Sequence, residues 1–270
     1  MDYLMDTYSC PVCQKTVNFR TIKEKGFQLK KCPECNLVFT YPQPVNDVIT
    51  KNYKENYFLH LAEKERLQIE ENRKRMKLIE KYIGQRKSIL DVGCGTGLFL
   101  SLISSGNEIT GVELFQEAVE IARKKLGDKI FLGELDTINF PSNHFDVVTF
   151  IHTIEHVKNP ESILKESHRL LKPNGFLIME TPNRNFLFRL PFGYAQPSPS
   201  EHLFQFNSEN LEKFLKNIGF KILKSGFLPP TLMVSSRGIA EYSRSKAAYF
   251  ISKLLNFNIS DNILVVAEKN

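Results

Sequence analysis

The sequence predicts an α/β protein in which a mostly parallel sheet carries helices on both faces, preceded by a small metal-binding module. From residue 87 onward, short apolar runs alternate with helical segments, at a spacing typical of parallel strands joined by crossover helices. Before that, four of the five cysteines lie in the first 35 residues, as two C-x-x-C pairs. The expected organisation is a zinc ribbon at 1–45, a helical linker or lid at 46–86 and a main domain at 87–270.

Composition and charge are those of a globular chain. The 270 residues are 42% hydrophobic and 24% charged, with a net charge of +6. No apolar run reaches the roughly 20 residues that span a bilayer, and "MDYLMDTYSC" lacks the basic-then-apolar pattern of a secretory signal. We therefore expect a cytoplasmic protein. The charge permits an anionic partner, such as a nucleic acid, a nucleotide-sugar or an anionic membrane, without indicating which.

The two cysteine pairs, "CPVC" and "CPEC", predict a structural zinc site. Each C-x-x-C turn can offer two thiolates, and zinc prefers four soft ligands in a tetrahedron. Asn36, directly after the second pair, tolerates the left-handed conformation that such a turn often needs. Disulfides are the alternative, but they fit poorly with an intracellular chain. The predicted zinc ligands are Cys10, Cys13, Cys32 and Cys35.

Residues 55–83 predict one long helix, because apolar side chains recur at helical spacing on a charged background. Pro42 and Pro44 mark the end of the ribbon before it. The favoured interpretation is a linker helix whose apolar stripe packs on the main domain. A lid over a substrate pocket is the alternative.

In the main domain, strands and helices follow one another in a regular order. Strands are predicted in "SILDVG", "EITGVEL", "KIFLGEL", "FDVVTFI", "FLIMET", "FKILKSG" and "NILVVAEK". Helices are predicted in "FQEAVEIARKKL", "ESILKESHRLL" and "SENLEKFLKNIG". A ligand site is expected at the carboxyl ends of the strands, near the switch in strand order.

A glycine-rich loop, "LDVGCGTGLFL", joins the first strand to the first helix. Glycine lets a ligand approach the backbone closely, and a loop of this kind alone also suits a nicotinamide or flavin. Asp91 precedes the first glycine, however, where a carboxylate would repel a pyrophosphate. Glu113 ends the second strand, where an acid can accept hydrogen bonds from a ribose diol. Glu134 ends the third.

In these motifs the block from Ser88 to about Asn183 resembles the class I S-adenosylmethionine-dependent methyltransferases. The resemblance implies a doubly wound, seven-stranded Rossmann-like sheet and S-adenosylmethionine as the cofactor. An acidic pocket agrees with this, since it suits a sulfonium cation better than a pyrophosphate. The cofactor-binding residues implied are Asp91, Gly93, Cys94, Gly95 and Gly97 at the methionine end, Glu113 at the ribose, and Leu114, Glu134 and Leu135 at the adenine. Within that loop, Cys94 is interpreted as a small packing residue rather than a nucleophile.

The stretch "HTIEHVKNP" begins where the fourth strand ends, so its side chains are expected to face the transferring methyl group. With "METPN" and "EHLFQF", it resembles the branch that includes ubiquinone-pathway O-methyltransferases and many sugar methyltransferases. Chains with a two-knuckle zinc ribbon ahead of such a domain resemble bacterial methyltransferases of sugars or surface-polysaccharide precursors. The candidate catalytic residues are His152, Glu155, His156 and His202.

Three interpretations of this cluster stay open. In the first, His156 or His202 is a general base for a substrate hydroxyl, and Glu155 orients the imidazole. In the second, all four residues bind a divalent metal, in a pattern similar to that of small-RNA 3′-end 2′-O-methyltransferases. In the third, the cluster caps the following helix and shapes the pocket, because alignment alone accelerates methyl transfer.

The expected reaction is methyl transfer to a small-molecule acceptor, with a hydroxyl of a sugar, surface-glycan precursor or lipid-linked metabolite favoured. An RNA methyltransferase that docks nucleic acid on its ribbon is the alternative. The loop at 183–202 is interpreted either as a cover over the acceptor or as an ordinary surface loop. Its candidate acceptor contacts are Arg184, Phe188, Arg189, Phe192 and Tyr194. An apolar stripe in the segment 229–258 is expected to pack on its own domain or across a dimer, and peripheral contact with the inner face of a membrane is the alternative. Its residues are Phe250, Ile251, Leu254, Leu255 and Phe257.

Overall fold

The computed structural model describes residues 7–24, 26–44, 61–185, 199, 201–227, 238–255 and 261–270. The hypotheses about the linker before residue 61 lie outside the described residues. So do those about Phe188, Arg189, Phe192 and Tyr194 of the acceptor loop.

The N-terminal ribbon contains five short strands. They are β1 (Thr7–Ser9), β2 (Thr16–Asn18), β3 (Arg20–Glu24), β4 (Phe27–Lys31) and β5 (Val38–Thr40). β1 and β2 form an antiparallel hairpin, and β3, β4 and β5 form a second antiparallel sheet. Each C-x-x-C turn is followed by a residue with positive φ, Gln14 at 60° and Asn36 at 58°. The expectation for Asn36 is therefore confirmed.

The rest of the chain alternates strands and helices. In chain order the elements are α1 (Leu61–Ile83), β6 (Ser88–Val92), α2 (Leu98–Ile103), β7 (Glu108–Glu113), α3 (Gln116–Leu126), β8 (Ile130–Leu132), β9 (Phe145–Ile151), α4 (Pro160–Leu170), β10 (Leu171–Pro182), β11 (Phe204–Gln205), α5 (Ser208–Ile218), β12 (Phe220–Gly226), α6 (Gly238–Leu255) and β13 (Asn262–Lys269). Within the described residues, α1 begins at Leu61, where the sequence predicted a helix over 55–83. β8 is shorter than "KIFLGEL" because Gly133, with φ of 140°, ends it.

Seven of these strands form one sheet in the order β12-β13-β10-β9-β6-β7-β8. The pairs among β6, β7, β8, β9 and β10 are parallel, and β13 runs antiparallel to both of its neighbours. The predicted fold class, a mostly parallel seven-stranded Rossmann-like sheet, is confirmed. The carboxyl ends of β6, β7, β9 and β10 meet along one edge, which places the loops after them side by side.

Successive residues of the central strands pack into two separate cores, as the pleat of a strand requires. Leu90 and Val148 belong to one core, and Ile89 and Val147 belong to the other, together with the C-terminal half of α1. The first core also contains Phe39 and the four ribbon cysteines. The ribbon and the main domain therefore share one continuous apolar cluster.

β11 does not join the seven-stranded sheet. It pairs antiparallel with β5, with Phe204 opposite Phe39 and Gln205 opposite Val38. The ribbon sheet thus has four strands, in the order β11-β5-β4-β3, and the main domain supplies one of them.

The apolar stripe predicted in the segment 229–258 lies on α6. Phe250, Leu254 and Leu255 are exposed there, whereas Phe257 lies outside the described residues. No helix in the described part of the chain is long and apolar enough to cross a membrane.

Candidate active site

The glycine loop between β6 and α2 lies directly against the turn that follows β9. Gly93 has a φ of 73°, and a Cβ built on it would lie 2.5 Å from both Cγ2 and Oγ1 of Thr153. The backbone N–H groups of Gly93 and Cys94 both donate to the Val112 carbonyl, at 2.8 and 3.1 Å. Cys94 is buried beside Gly111 under the loop, where a small side chain fits. No side chain fits at Gly93.

Asp91 lies near the carboxyl end of β6 and is buried. Its Oδ1 accepts a hydrogen bond of 2.6 Å from Thr149 Oγ1 on β9. Burial raises the pKa of Asp91 to about 7, although the hydrogen bond from Thr149 and the charge of Arg75 oppose the shift. A buried carboxyl group of this kind favours a cationic ligand, because a nearby positive charge stabilises its ionised form.

Glu113 ends β7 with its carboxylate held by backbone groups. Oε2 accepts a hydrogen bond from Gly95 N at 2.8 Å, and Oε1 accepts from Leu114 N and Phe115 N at 2.9 and 3.0 Å. A carboxylate has about four lone-pair positions, so these three bonds orient it and leave it able to accept another. Leu114 is 52% exposed beside it. Of the other two predicted adenine-side residues, Glu134 is exposed and Leu135 is buried.

A cavity of about 190 Å³ lies between the glycine loop and α1. Its lining from α1 consists of polar side chains, namely Gln68, Glu71, Asn72 and Arg75. Asp91 and His152 line it from the strand ends. The C-terminal half of α1 packs in the core, as expected of a linker helix, but the preceding turns form a wall of this cavity.

Arg75 joins α1 to the end of β10. Its guanidinium group is buried and donates hydrogen bonds to Glu180 and Asn72. Asn262 Nδ2 donates to the other oxygen of Glu180 at 3.2 Å. Burial alone would raise the pKa of Glu180, but Arg75 and His152 lower it to about 2. Glu180 is therefore ionised at neutral pH and holds α1 across the strand ends.

His152 lies between two carboxylates. Its ring nitrogens are 3.6 Å from Glu155 Oε1 and 3.3 Å from Glu180 Oε1, and its backbone N donates to Glu180 O at 2.9 Å. Partial desolvation acts to lower the pKa of His152, whose side chain is 39% exposed, but the two carboxylates outweigh it and raise the pKa to about 10. The residue is thus a cation at neutral pH. It also has a φ of 54°, a conformation that a histidine adopts only at some cost.

Glu155 also belongs to a second group, with His156 and His202. One ligand atom from each lies within 4.8 Å of the others, and the two imidazole rings are 4.5 Å apart. Thr181 Oγ1 donates to Glu155 Oε2 at 2.9 Å, while Glu155 Oε1 is buried with no hydrogen-bond partner among the described residues. The four-residue metal hypothesis included His152. The structure instead places that ring between Glu155 and Glu180.

His156 has a defined orientation. Its Nδ1 lies 2.8 Å from the Glu201 carbonyl oxygen. Because a carbonyl only accepts, Nδ1 carries the proton, and Nε2 of the neutral ring is left as the acceptor. Nε2 lies 3.9 Å from Glu155 Oε1. The ring therefore presents a basic nitrogen beside a buried carboxylate.

The four ribbon cysteines are gathered into one buried cluster. The Sγ atoms of Cys10 and Cys35 are 3.7 Å apart, as are those of Cys13 and Cys32, and all four lie within 4.8 Å of one another. A tetrahedron of sulfurs at about 2.3 Å from a zinc ion has edges of about 3.8 Å. The cluster therefore fits tetrahedral zinc.

The guanidinium group of Arg184, a candidate acceptor contact, lies against the ribbon. The group pairs with Glu24 of the ribbon at 3.3 Å and donates to Gln205 of β11. It ties the start of the acceptor loop to the ribbon.

Sequence reasoning missed the side chains that α1 and β10 contribute. Arg75 was one charge on a charged helix face, and nothing in its spacing separates it from its solvated neighbours. Glu180 had a detectable feature, since it is the only charged residue in the apolar run "FLIMET" at the carboxyl end of a strand.

Comparisons with known proteins agree with this geometry. The family described as "Methyltransferase domain" matches residues 61–225. A ubiquinone biosynthesis O-methyltransferase of Coxiella burnetii is 33% identical over 119 residues, which cover 42% of this chain and 51% of that protein. Its counterpart in Azoarcus sp. is 36% identical over 108 residues, covering 37% and 46%. The chain spans about half the length of the curated relatives it matches.

Solved structures show the same fold. A methyltransferase of Archaeoglobus fulgidus superposes with a TM-score of 0.58 at 22% identity, covering 79% of this chain and all of that one, 100%. An S-adenosylmethionine-dependent methyltransferase of Thermotoga maritima has a TM-score of 0.57 at 20% identity, covering 82% and 99%. The family match covers more than half of the chain and includes the glycine loop, Glu113 and the histidine cluster. The chain belongs to the class I S-adenosylmethionine-dependent methyltransferase family.

Proposed function

We propose that the protein methylates a hydroxyl group of a small-molecule acceptor, with His156 as the general base. The observation that carries the proposal is the hydrogen bond between His156 Nδ1 and the Glu201 carbonyl, which leaves Nε2 free to take a proton. The curated relatives are named as O-methyltransferases, which supports an oxygen acceptor. A sugar, a surface-glycan precursor or a lipid-linked metabolite is the favoured class.

The residues around the cavity are suited to hold the cofactor. When bound, S-adenosylmethionine supplies a methyl group on a positively charged sulfur. Asp91 would face its cationic methionine end, and Arg75 would offer the opposite charge to its carboxylate. Glu113 would accept hydrogen bonds from the ribose, with Leu114 against the adenine.

The acceptor hydroxyl would lose its proton as it receives the methyl group that the bound cofactor would supply. His156 Nε2 takes the hydroxyl proton, and the ring becomes an imidazolium. The buried Oε1 of Glu155, 3.9 Å away, stabilises that charge. His152 stays protonated between Glu155 and Glu180, so its role is to hold these carboxylates in place.

We also infer that the four ribbon cysteines hold a structural zinc ion. Their buried position and sulfur spacing fit four-coordinate zinc with no open position. Such a site contributes to folding and leaves no room for a substrate, so methyl-transfer chemistry is assigned to the strand ends.

The test begins with radiolabelled S-adenosylmethionine and fractionated cell extract, with and without ribonuclease. Label in a ribonuclease-resistant, low-molecular-weight fraction supports the proposal. With that fraction as acceptor, His156→Gln should lower turnover by about 10²–10⁴-fold while cofactor affinity is kept. His144→Gln, an exposed histidine away from the cluster, is the matched control. Near-normal turnover of His156→Gln would contradict the role of base.

Two other outcomes would point to the alternatives. If label enters RNA, and binding weakens steeply as salt is raised, the ribbon is a nucleic-acid docking module. If chelation abolishes turnover while the four-cysteine metal is retained, Glu155, His156 and His202 are metal ligands, as their spacing permits.

A further inference from the structure

Building on the zinc site and the His156 role proposed above, we propose that the ribbon positions the acceptor side of the active site. Thr40, the last residue of β5, is the positioning residue. The methyl donor and the acceptor chemistry would then be supported by different parts of the chain. The glycine loop is held by β7, and the His202 segment is held by the ribbon.

Thr40 holds the His202 segment at two points. Its backbone N donates to the Leu203 carbonyl at 2.9 Å, and its buried Oγ1 donates to the Pro199 carbonyl at 2.8 Å. Glu201 and His202 lie between these two points. Pairing of β11 with β5 continues the attachment beyond Leu203.

The held segment carries the groups that orient His156. The Glu201 carbonyl accepts the proton of His156 Nδ1, and the His202 ring lies edge-on to His156 at a centroid distance of 4.5 Å. A shift of Glu201 would release Nδ1 and let the proton move to the other ring nitrogen. The hydroxyl of Thr40 thereby helps to keep the proton of His156 on Nδ1 and to leave Nε2 as the basic nitrogen.

The attachment leads directly to the cysteine cluster. β5 begins three residues after Cys35, whose carbonyl accepts a hydrogen bond from Asn210 Nδ2 of α5 at 3.3 Å. Phe39 stacks on Phe204 at 6.0 Å. By contrast, the bonds that hold the glycine loop run to Val112 and Glu113 of β7. Loss of order in the ribbon should therefore reach the acceptor side first.

The test is Thr40→Val in the full chain, a change that keeps the buried shape and removes one hydrogen bond. It leaves the Pro199 carbonyl unpaired, so hydrogen exchange in peptides covering 199–207 should rise about tenfold. Exchange in peptides covering 88–97 should stay within about twofold of wild type. In nitrogen-15 NMR, the Nδ1-protonated signature of His156 should be lost or become mixed.

Two variants serve as controls. Thr40→Ser keeps the hydroxyl and should retain the His156 signature. Thr21→Val alters an exposed threonine of β3 in the same sheet and should leave both readouts unchanged. An unchanged His156 signature in Thr40→Val would overturn the inference. So would equal loss of protection in 199–207 and 88–97, which indicates general destabilisation.

A second experiment tests whether release of the ribbon metal affects the His202 segment. With cobalt in the ribbon, loss of the cobalt–thiolate absorption on metal release should coincide with faster exchange in 199–207, while S-adenosylhomocysteine still binds in calorimetry. Metal release without a change in 199–207 would overturn the inference. If the purified chain holds no metal, the zinc assignment fails, and the Thr40 variants still decide the inference.

Discussion

At the residue scale, the buried carboxyl group of Asp91 affects stability and cofactor binding in opposite directions. Its pKa is raised on folding, from an ordinary value of 3.8 to about 7. When folding raises the pKa of an acid, the free energy of unfolding is highest below the acid's ordinary pKa. It falls as the pH rises through the pKa of the folded state. The free protein is thus less stable at pH 8 than it would be with a neutral side chain at this position.

Asp91→Asn is therefore expected to gain stability relative to wild type as pH rises from about 4 to 7. Its affinity for S-adenosylmethionine should fall about tenfold or more, because a charge-assisted contact is lost. Urea midpoints at several pH values and calorimetry measure the two effects. Unchanged affinity for the cofactor would contradict the placement of Asp91 at its cationic end.

Gly93 offers a test of the contact between the glycine loop and the histidine turn. Gly93→Ala would bring a methyl group within 2.5 Å of Thr153, whereas Gly106→Ala, at a similar φ of 82°, meets nothing within 4 Å. Both variants carry backbone strain of about 1 kcal/mol or more, so their difference isolates the steric contact. We expect only Gly93→Ala to lose S-adenosylhomocysteine binding in calorimetry, and Thr153→Ala to restore part of it in the double variant.

At the element scale, α1 is attached to the strand ends by a buried charge pair. Among the described residues, Arg75→Met would leave Glu180 with His152 as its one charged partner, and breaking one side of a buried pair typically costs about 3–5 kcal/mol. Arg73→Met makes the same change at an exposed position of the same helix and should cost less than about 0.5 kcal/mol. Hydrogen exchange over 68–83 and urea unfolding provide the measurements. Equal effects of the two variants would show that the pair does not hold α1.

The sequence predicted where the site lies better than what surrounds it. Asp91 and Glu113 lie at the ends of apolar strands, and His152, Glu155 and His156 follow the next one. Parallel strands bring their carboxyl ends to one edge, so these residues were placed from the strand pattern together with the family resemblance. The division of the cluster was not predictable. Whether His152 lies beside His156 or between Glu155 and Glu180 depends on a pairing between β9 and β10 that spacing does not reveal. The contact between Arg75 and Glu180 was not predictable either, because Arg75 lies on a helix distant in sequence.

At the scale of the whole molecule, the fold class followed from strand–helix alternation and the family resemblance. The apolar core that the ribbon and the main domain share could not be predicted from either of these. "FQF" at 204–206 reads as a short apolar run before a helix, and its pairing with β5 is a contact across more than 160 residues. Local periodicity carries no information about such a pairing.

Ligand binding provides a test at the same scale. S-adenosylhomocysteine at about 100 times its dissociation constant should stabilise the folded chain by about 2.7 kcal/mol. For a chain of this size, that corresponds to a rise of roughly 5 °C in Tm by calorimetric scanning. NAD at the same concentration should give no rise, because its pyrophosphate would meet Asp91. A rise with NAD and none with S-adenosylhomocysteine would contradict the cofactor assignment.

The pairing of β11 with the ribbon also limits how the protein can be truncated or divided into domains. Removing the first 45 residues would take away Phe39, which stacks on Phe204, and would leave the two-residue strand β11 without its partner β5 and open to pairing with neighbouring molecules. Such a truncated chain should aggregate when it is expressed alone. Exchanging the ribbon between enzymes should therefore fail unless β11 is exchanged together with it.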